Sequence, residues 1–366
     1  MIVWHFLSNR WNSAITEYAL NSFSALKLSS QHEQFLFIEQ ETLAFKRAQK
    51  DNLHPIGASF SLLKMLFFFK AKRKISPQVI FVYGGPETLI AIVLALLSRH
   101  KIKLVKFYGY DLQASKFKFL AVKLYDYFID LYITPNQNIK HSLETMGVNG
   151  NKVHRILLPI DEHKFFWTSA TINVPELVIL GRLDPIKGHA IAIKIFSALR
   201  EYWGQNSKLP LPRLKIIGEN SLLHREDIES YVLLNQLKLN TDVFLINERL
   251  MSLPEVMCNS TVGWICSQGS EEICRVAEEF LLCGTAVLVN LVGGLPEILF
   301  DNAGIGVLHA EENIPALIRE IFVFVEKSYS EAELVRQQRA SRAQELFSFR
   351  CYVNALLSLI EPKGEK

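Results

Sequence analysis

The chain has 366 residues, of which 49% are hydrophobic and 21% are charged, and its formal net charge is +3 at pH 7. A chain of this length favours two domains over one, and its apolar content is sufficient for two separate cores. The small net charge does not indicate a nucleic-acid-binding protein, so we expect no nucleic-acid partner.

The sequence contains five cysteines, at positions 258, 266, 274, 283 and 351. No pair has CxxC spacing and no cluster of histidines accompanies them, which argues against a zinc site. Most of them lie in apolar or near-helical surroundings. Reduced, buried thiols in a cytosolic protein are the simplest interpretation.

The N-terminal segment is apolar for only six or seven residues before polar side chains begin. A signal peptide needs a basic start and a longer apolar core, so this segment predicts a buried first strand instead. The longest apolar stretches, such as Leu89–Leu97, are far shorter than the about 20 residues of a membrane-spanning helix. We therefore expect a cytoplasmic protein that at most touches a membrane surface.

The first half of the sequence alternates short apolar runs with longer amphipathic segments. In chain order we predict a strand at Ile2–Phe6, a helix at Ser13–Leu26, strands at Phe35–Ile38 and Val79–Val82, a helix at Glu87–Ser98, a strand at Lys103–Phe107, a helix at Lys118–Ile129 and a strand at Leu131–Thr134. Strands that alternate with helices are typical of parallel βαβ units.

The same alternation restarts after a less regular stretch near residues 161–174. In chain order we predict a strand at Glu176–Leu180, a helix at His189–Trp203, a strand at Leu214–Ile217, a helix at Arg225–Leu237, a strand at Val243–Ile246, a short helix from Pro254, a strand at Val262–Ile265, a helix at Cys274–Leu282, a strand at Ala286–Val289, and a late helix at Ser330–Phe347 that Ser330 and Glu333 cap. Two such runs predict two doubly wound domains, with ligands at the carboxyl ends of the strands.

The segment 181–188, with the sequence GRLDPIKG, directly follows a predicted strand and precedes a helix. Its two cations can form an anion clamp, because Arg182 can bind two phosphate oxygens in a fork while Lys187 adds a point charge. Gly181 and Gly188 permit tight turns and a close approach of the backbone. A solvated basic turn is the alternative interpretation, since the pattern is short.

A second segment runs from Glu271 to Glu279, and its two terminal carboxylates are eight positions apart. If a helix begins near Glu272, the two side chains differ in direction by roughly 80°, so both can reach one extended ligand. The amides at the start of this helix can also hold a phosphate. The alternative interpretation is an exposed acidic helix start, which the helix dipole favours.

Taken together, these segments resemble glycosyltransferase family 4, whose members are retaining nucleotide-sugar transferases of the GT-B fold. The segment 181–188, the Glu271/Glu279 pair followed by the sequence CGT at 283–285, and the sequence VGGLPE at 292–297 match the family in order and spacing. The N-terminal similarity is weaker: residues 108–112 look like the family's HGxD segment, and residues 347–360 look like its final helix.

The resemblance implies an α/β protein with the GT-B fold, in which two Rossmann-like, doubly wound domains face a central cleft. It implies an N-terminal acceptor-binding domain over residues 1–168, with a C-terminal helix at 348–366 that packs back on it. The nucleotide-sugar-binding domain would then cover residues 169–347.

The resemblance also implies roles for individual residues. Arg182 and Lys187, which follow Gly181, would bind the donor diphosphate and stabilise the charge on the leaving nucleotide. Glu279 would hold the donor ribose, and Glu271 would contact hydroxyls of the transferred sugar. We therefore assign Arg182, Lys187 and Glu271 as catalytic residues.

Three further residues, Tyr108, Ile273 and Cys274, occupy donor-binding positions of the family's motifs. The expected donor is a UDP- or GDP-sugar, and the expected acceptor is a glycan or a lipid-linked molecule in surface polysaccharide or lipopolysaccharide biosynthesis. The resemblance implies no cofactor and no metal, because the cationic pair takes the place of a metal ion.

The sequence departs from the family's pattern at three places. Glu272-Ile273-Cys274 stands where the family commonly has Gly-Phe-Gly, Tyr108 replaces a histidine, and 10–13 lacks a glycine pair. Tyrosine can donate a hydrogen bond but carries no charge near neutral pH. A non-catalytic binding protein with the GT-B fold and a nucleotide-sugar epimerase therefore stay open as alternatives. A dinucleotide oxidoreductase is disfavoured, because no GxGxxG follows a strand near the N-terminus.

The segment 61–74 combines aromatic side chains with five basic residues and contains no acidic residue. A helix of this composition can rest on an anionic membrane surface, which would place the protein at the inner face of the membrane. In the alternative interpretation, its phenylalanines pack on the N-terminal sheet and its basic residues are solvated.

Overall fold

In the computed structural model the chain forms two compact units, each built around its own parallel sheet. Unit 1 comprises Met1–Pro159 and Phe349–Lys366, and unit 2 comprises Ile160–Ser348. The structure describes all residues except 10–13, 29–31, 62–63, 66–75, 110–115, 248–251, 270, 274, 311–313 and 362–366.

Residues 160–168, which the sequence analysis assigns to the first domain, lie in unit 2. The backbone N–H of Ile160 donates to the carbonyl of Phe347 at 2.9 Å. The thiol of Cys258 donates to the carbonyl of Phe166 at 3.4 Å. These contacts hold the segment against elements of unit 2.

Unit 1 contains a seven-stranded sheet in which every pair of neighbouring strands is parallel. Its strands are β1 (Ile2–Leu7), β2 (Glu33–Glu39), β3 (Ile56–Ala58), β4 (Val79–Val82), β5 (Lys103–Phe107), β6 (Leu131–Thr134) and β7 (Val153–Arg155). Its described helices are Ala14–Leu28, Leu43–Lys50, Gly85–Leu97, Lys116–Asp126, Gln137–Thr145 and Phe349–Ile360. The strand order is β3-β2-β1-β4-β5-β6-β7.

Unit 2 contains a six-stranded parallel sheet. Its strands are β8 (Glu176–Leu180), β9 (Arg213–Ile217), β10 (Val243–Ile246), β11 (Val262–Ile265), β12 (Ala286–Asn290) and β13 (Gly304–Val307). Its described helices are His189–Asn206, Arg225–Leu234, Leu253–Cys258, Arg275–Leu282, Ile314–Ser330 and Glu333–Phe347, with 3-10 turns at Pro185–Lys187 and Leu295–Ile298. The strand order is β10-β9-β8-β11-β12-β13.

Each sheet reverses its direction of growth once, between β1 and β4 in unit 1 and between β8 and β11 in unit 2. This order is that of a doubly wound sheet, in which ligands bind outside the carboxyl ends of the strands at the point of reversal. In unit 2 this point of reversal lies between β8 and β11, which are followed by residues 181–188 and 266–275. These two segments include most of the predicted site residues.

The strands are buried because helices cover both faces of each sheet, as parallel sheets require. All five residues of β12 are buried, and Trp4 and Phe6 of β1 are fully buried, so the predicted buried first strand is confirmed. The last helix, Phe349–Ile360, packs on the first one, where the hydroxyls of Tyr352 and Ser22 lie 2.7 Å apart.

The sequence patterns did not predict several elements, including β13 and the helix Ile314–Ser330. β13 begins with a glycine because a Cβ at Gly304 would lie 1.9 Å from the carbonyl oxygen of Val287. Since glycine is unfavourable in strands, its presence weakens the sequence pattern that would predict β13. The predicted helix over Ser330–Phe347 begins instead at Glu333, after Ala332, which provides no side-chain cap. The predicted Ser330/Glu333 capping box is therefore wrong, since Ser330 ends the preceding helix.

Most of the basic, aromatic segment 61–74 lies outside the described residues. Across the part of the chain that the structure describes, no helix has both the length and the apolarity to cross a bilayer. Cys258, Cys266 and Cys283 are buried free thiols, and Cys351 is a half-buried one.

Candidate functional site

The loop 181–188 leaves the carboxyl end of β8 and turns directly against the loop that follows β11. Asp184 caps the short 3-10 turn that carries Lys187. Gly188 has a φ of +73°, and a Cβ at this position would lie 2.1 Å from the carbonyl oxygen of Cys266. Only glycine combines this left-handed backbone with such a close approach, so Gly188 determines how tightly the two loops meet.

Lys187 and Glu271 form an ion pair across these two loops, with Nζ donating to Oε1. The hydroxyl of Ser267 donates to the same carboxylate oxygen at 2.6 Å. Glu271 is buried and Lys187 is half-buried, so their attraction is screened less than that of a surface pair. Glu271 and Lys187, which were predicted to contact the sugar and the diphosphate, are therefore in direct contact with each other.

The loop after β12 holds the backbone of Glu271 in place. The N–H of Gly294 donates to the carbonyl of Glu271 at 2.8 Å. Gly293 has a φ of +55°, and a Cβ there would lie 2.3 Å from the same oxygen. Gly293 of the sequence VGGLPE thus lets this loop pass against the residue that pairs with Lys187.

A chain of buried hydrogen bonds runs from Ser267 back into the sheet. The Asn290 amide donates from Nδ2 to the carbonyl of Ser267 at 2.8 Å and accepts at Oδ1 from the N–H of His309 at 3.0 Å. The indole of Trp264, which can only donate, is bonded to Nε2 of His309 at 2.8 Å. Burial lowers the pKa of His309 to about 4, so its ring is neutral near pH 7. These bonds fix the strand ends beneath Glu271.

The helix Arg275–Leu282 starts within one residue of the predicted Cys274–Leu282, and Cys274 itself lies outside the described residues. Glu271 lies four residues before this helix, in a loop, so the angle of roughly 80° derived for a helix from Glu272 is wrong. Glu271 is bonded to Lys187 and Gly294 instead. Glu279 is buried on the helix, and its Oε1 lies 3.6 Å from a guanidinium nitrogen of Arg275.

A pocket of about 140 Å³ lies over the carboxyl ends of β8 and β11. Its lining includes Lys187, Glu271, Ile273 and Arg275. The volume is several times the about 30 Å³ that one water molecule takes up in the liquid, so a phosphate-sized group fits. A cation, a carboxylate and a second cation thus surround one small concave space.

The remaining predicted residues lie around this pocket or elsewhere. Arg182 is exposed on the loop after β8, and the N–H of Gly181 donates to the carbonyl of Ile217 at 3.0 Å. Tyr108 follows β5 in unit 1, where it is buried with the ammonium of Lys106 5.4 Å above its ring. Cys274 lies outside the described residues, as do residues 10–13 and 110–112. The donor-binding roles of all these residues stay predictions.

Ser267, Asn290 and Arg275 were not predicted as site residues from the sequence. The i,i+4 spacing of Arg275 and Glu279 was a usable signal for a charge pair on the helix. Ser267 follows β11 and Asn290 ends β12, and polar residues at the carboxyl ends of parallel strands are expected near a ligand. Only the structure shows that both support Glu271.

The described residues contain no group of three or more His, Cys, Asp or Glu side chains placed to hold a metal ion. The charged groups that converge on the pocket from this part of the chain are Lys187, Arg275 and Glu271.

Residues 164–342 match the sequence profile of the family described as Glycosyl transferases group 1. This interval lies within unit 2 and includes every site residue selected from the sequence except Tyr108. No curated protein sequence matches the chain.

Solved structures of glycosyltransferases are similar over nearly the whole chain. HepE of Anabaena in complex with UDP has a TM-score of 0.79 at 14% identity and covers 98% of this chain and 99% of its own. A glycosyltransferase from Rickettsia africae has a TM-score of 0.79 at 13% identity, with coverages of 98% and 97%. The lipopolysaccharide outer core galactosyltransferase WaaB has a TM-score of 0.70 at 13% identity, with coverages of 98% and 100%. The predicted GT-B fold is therefore confirmed.

Proposed function

We propose that this chain is a retaining glycosyltransferase of family 4 that needs no metal ion. It transfers a sugar from a UDP- or GDP-sugar to a glycan or lipid-linked acceptor, in the cytoplasm, for surface polysaccharide or lipopolysaccharide biosynthesis. The observation that carries this proposal is the meeting of Lys187 and Glu271 in a pocket at the switch point of the sheet in unit 2.

The structural neighbours support a nucleotide-sugar donor. HepE of Anabaena has been solved with UDP, with UDP and glucose, and with UDP-glucose. The neighbour WaaB is a galactosyltransferase of the lipopolysaccharide outer core. We therefore propose uridine nucleotides as the first donors to examine, with guanosine nucleotides second.

The charges of the pocket suit the departure of a nucleoside diphosphate. When the bond from the anomeric carbon to the phosphate oxygen breaks, negative charge grows on the diphosphate, and Lys187 and Arg182 would stabilise it. Arg275, which lines the pocket together with Lys187, adds a further cation. A fixed cation can supply the electrostatic stabilisation that a divalent metal gives other transferases.

The acidic side chains would orient the two ends of the donor. Glu271, fixed by Ser267, would accept hydrogen bonds from hydroxyls of the sugar, and Glu279 would hold the ribose. Ile273 lines the pocket, so the sugar would meet an apolar side chain at the position where the family commonly has a phenylalanine. Tyr108 and Cys274 complete the proposed donor contacts.

The release of nucleoside diphosphate from each donor, with and without a glycan or lipid extract as acceptor, tests this function. We expect release that an acceptor stimulates, that EDTA leaves unchanged, and that gives a product with the anomeric configuration of the donor. An epimerase would instead convert the donor sugar without any acceptor. A non-catalytic binding protein would bind the nucleotide sugar and release nothing.

A further inference from the structure

The helix Gly85–Leu97 in unit 1 packs Ile90 and Leu94 into the core but is apolar on its outer side as well. Its two polar side chains, Glu87 and Thr88, are both 0% exposed. Its outer side carries Leu89, Leu96 and Leu97, which are 53%, 65% and 58% exposed. A surface helix normally presents polar residues to water and apolar ones to the core, so this outer side is unusual.

The positions of these residues make one continuous stripe. Leu89, Val93, Leu96 and Leu97 follow the spacing i, i+4, i+7 and i+8, which places them on one side of a helix. Gly85 and Pro86 are exposed at the start of the same helix. The exposed side of the helix therefore contains no polar side chain from its first residue to its last.

The helix Lys116–Asp126 continues this apolar surface. Leu120 and Leu124 are 67% and 60% exposed, and Tyr127, just after the helix, is 85% exposed. These residues again follow the spacing i, i+4 and i+7. We call the outer side chains Leu89, Val93, Leu96, Leu97, Leu120, Leu124 and Tyr127 the leucine face; Val93 is half-buried and the others are exposed.

The topology places both helices on the same side of the sheet. They connect β4 to β5 and β5 to β6, which are neighbouring parallel strands, and right-handed crossovers in one direction lie on one face. The next helix on that face, Gln137–Thr145, exposes Gln137, Asn138 and His141, as a solvated helix should. The apolar surface is therefore confined to two adjacent helices.

Cations flank the leucine face. Arg99 and Lys101 are exposed shortly after the first helix, and Lys123 is exposed on the second. Among the described residues 85–130, the acidic side chains are Glu87, which is buried, Asp126, which pairs with Lys152 at 3.2 Å, and the half-buried Asp130, which pairs with Lys101 at 3.7 Å. Exposed charge near the leucine face is thus positive, which complements an anionic surface.

We propose that the leucine face docks on an anionic lipid bilayer, with its leucines in the headgroup boundary and Arg99, Lys101 and Lys123 against lipid phosphates. A helix of 13 residues is too short to span a bilayer, so it lies along the surface. Single exposed leucines are ordinary on soluble proteins, but a contiguous patch bordered by cations marks an interaction site. If the proposed transfer is also correct, this docking brings unit 1 to lipid-linked acceptors.

Co-sedimentation of the full chain with phosphatidylcholine vesicles, with and without phosphatidylglycerol, tests the docking. We expect binding to the anionic vesicles that weakens as salt rises, because screening reduces the contribution of the cations. Leu96→Glu/Leu120→Glu should lower this binding by about tenfold or more, since it removes apolar contact and adds like charge. Arg99→Ser/Lys101→Ser should weaken binding to anionic vesicles while leaving the protein's fold unchanged.

Two control variants separate docking from other effects. Leu233→Glu/Leu234→Glu changes two leucines of unit 2 that are 64% and 78% exposed, and it should bind vesicles like the unaltered chain. Lys187→Ala should also bind anionic vesicles like the unaltered chain. Loss of sugar transfer can therefore be distinguished from loss of membrane docking. The proposal is overturned if the unaltered chain ignores anionic vesicles or if Leu96→Glu/Leu120→Glu binds them equally well. It is also overturned if that variant instead dissociates a dimer of this chain in sedimentation velocity.

Discussion

Lys187 donates a hydrogen bond to the carboxylate of Glu271, so the two side chains proposed to hold the diphosphate and the sugar are bonded to each other. The carboxylate of Glu271 accepts the hydrogen bond from the Lys187 ammonium that a phosphate oxygen would otherwise accept. Donor binding then has to exchange one anionic partner of Lys187 for another. The affinity for the donor is set by this exchange as well as by new contacts.

This exchange predicts an unusual effect of Glu271→Gln. Removing the competing negative charge should strengthen the binding of free UDP several-fold, because Lys187 becomes available and repulsion of the diphosphate falls. The same change should slow sugar transfer, since a contact to the sugar is weakened. Titration calorimetry with UDP and a transfer assay measure the two effects. Weaker UDP binding by Glu271→Gln would show that the ion pair does not compete with the nucleotide.

Glu279→Gln is the matched control, because it removes a nearby carboxylate, on the helix Arg275–Leu282, without freeing Lys187. Its carboxylate lies beside Arg275 at 3.6 Å and is proposed to hold the ribose. We expect this variant to bind UDP more weakly. Opposite signs for the two Glu→Gln changes would support separate roles for the two carboxylates.

Asn290 supports Glu271 from beneath through the carbonyl of Ser267, so it acts as a positioning residue. Asn290→Ala should lower kcat by about tenfold while changing the binding of UDP little, because the cations of the pocket stay in place. Ser267→Ala, which removes the 2.6 Å bond to the carboxylate, should have a similar effect. Measured kcat and KM values for both variants check this. An unchanged kcat in both variants would show that the hydrogen-bond network is structural and does not position Glu271 for catalysis.

The acid stability of unit 1 should depend on His5, which is fully buried between strands of the sheet. Burial lowers the pKa of His5 to about 3, well below the ordinary value of about 6.5. The unfolded chain therefore binds the proton more readily, and the contribution of His5 to stability is present above pH 6.5 and decreases as the pH falls toward 3. The slope in this window is about 1.4 kcal/mol per pH unit for one such group.

Urea unfolding between pH 7 and pH 4 measures this dependence. His5 stacks on Phe81 with ring centroids 4.9 Å apart, so His5→Phe keeps an aromatic ring in the same place. This variant loses the hydrogen bond to Tyr83 and should be less stable at pH 7, but its stability should fall less steeply with acid. A slope equal to that of the unaltered chain would mean that other groups control acid unfolding.

The doubly wound architecture could be predicted because strand and helix periods alternate clearly along the sequence. The predicted β8 and β11 end within a residue of the observed strands, and the loops that follow them contain Lys187 and Glu271. The carboxyl-end rule for parallel sheets then places these loops together without further information. Short strands such as β3 and β7 were missed because three residues carry too little periodicity.

The finer geometry of the site could not be predicted, because it depends on contacts between distant segments. The side chain and the backbone carbonyl of Glu271 are bonded to Lys187 and Gly294, which lie far from it in the sequence. The support from Asn290 likewise depends on the register of β11 against β12. No local pattern around residue 271 contains this information.

The pocket beside Lys187 is proposed to bind a nucleotide sugar. A thermal-shift panel of UDP-, GDP-, ADP- and CMP-sugars, run on the unaltered chain and on Lys187→Ala, tests it most directly. A ligand that prefers the folded state must raise its melting temperature. We predict that at least one nucleotide sugar raises the Tm of the unaltered chain and that Lys187→Ala loses most of this shift. No shift with any of them, or an equal shift for Lys187→Ala, would contradict the assigned site.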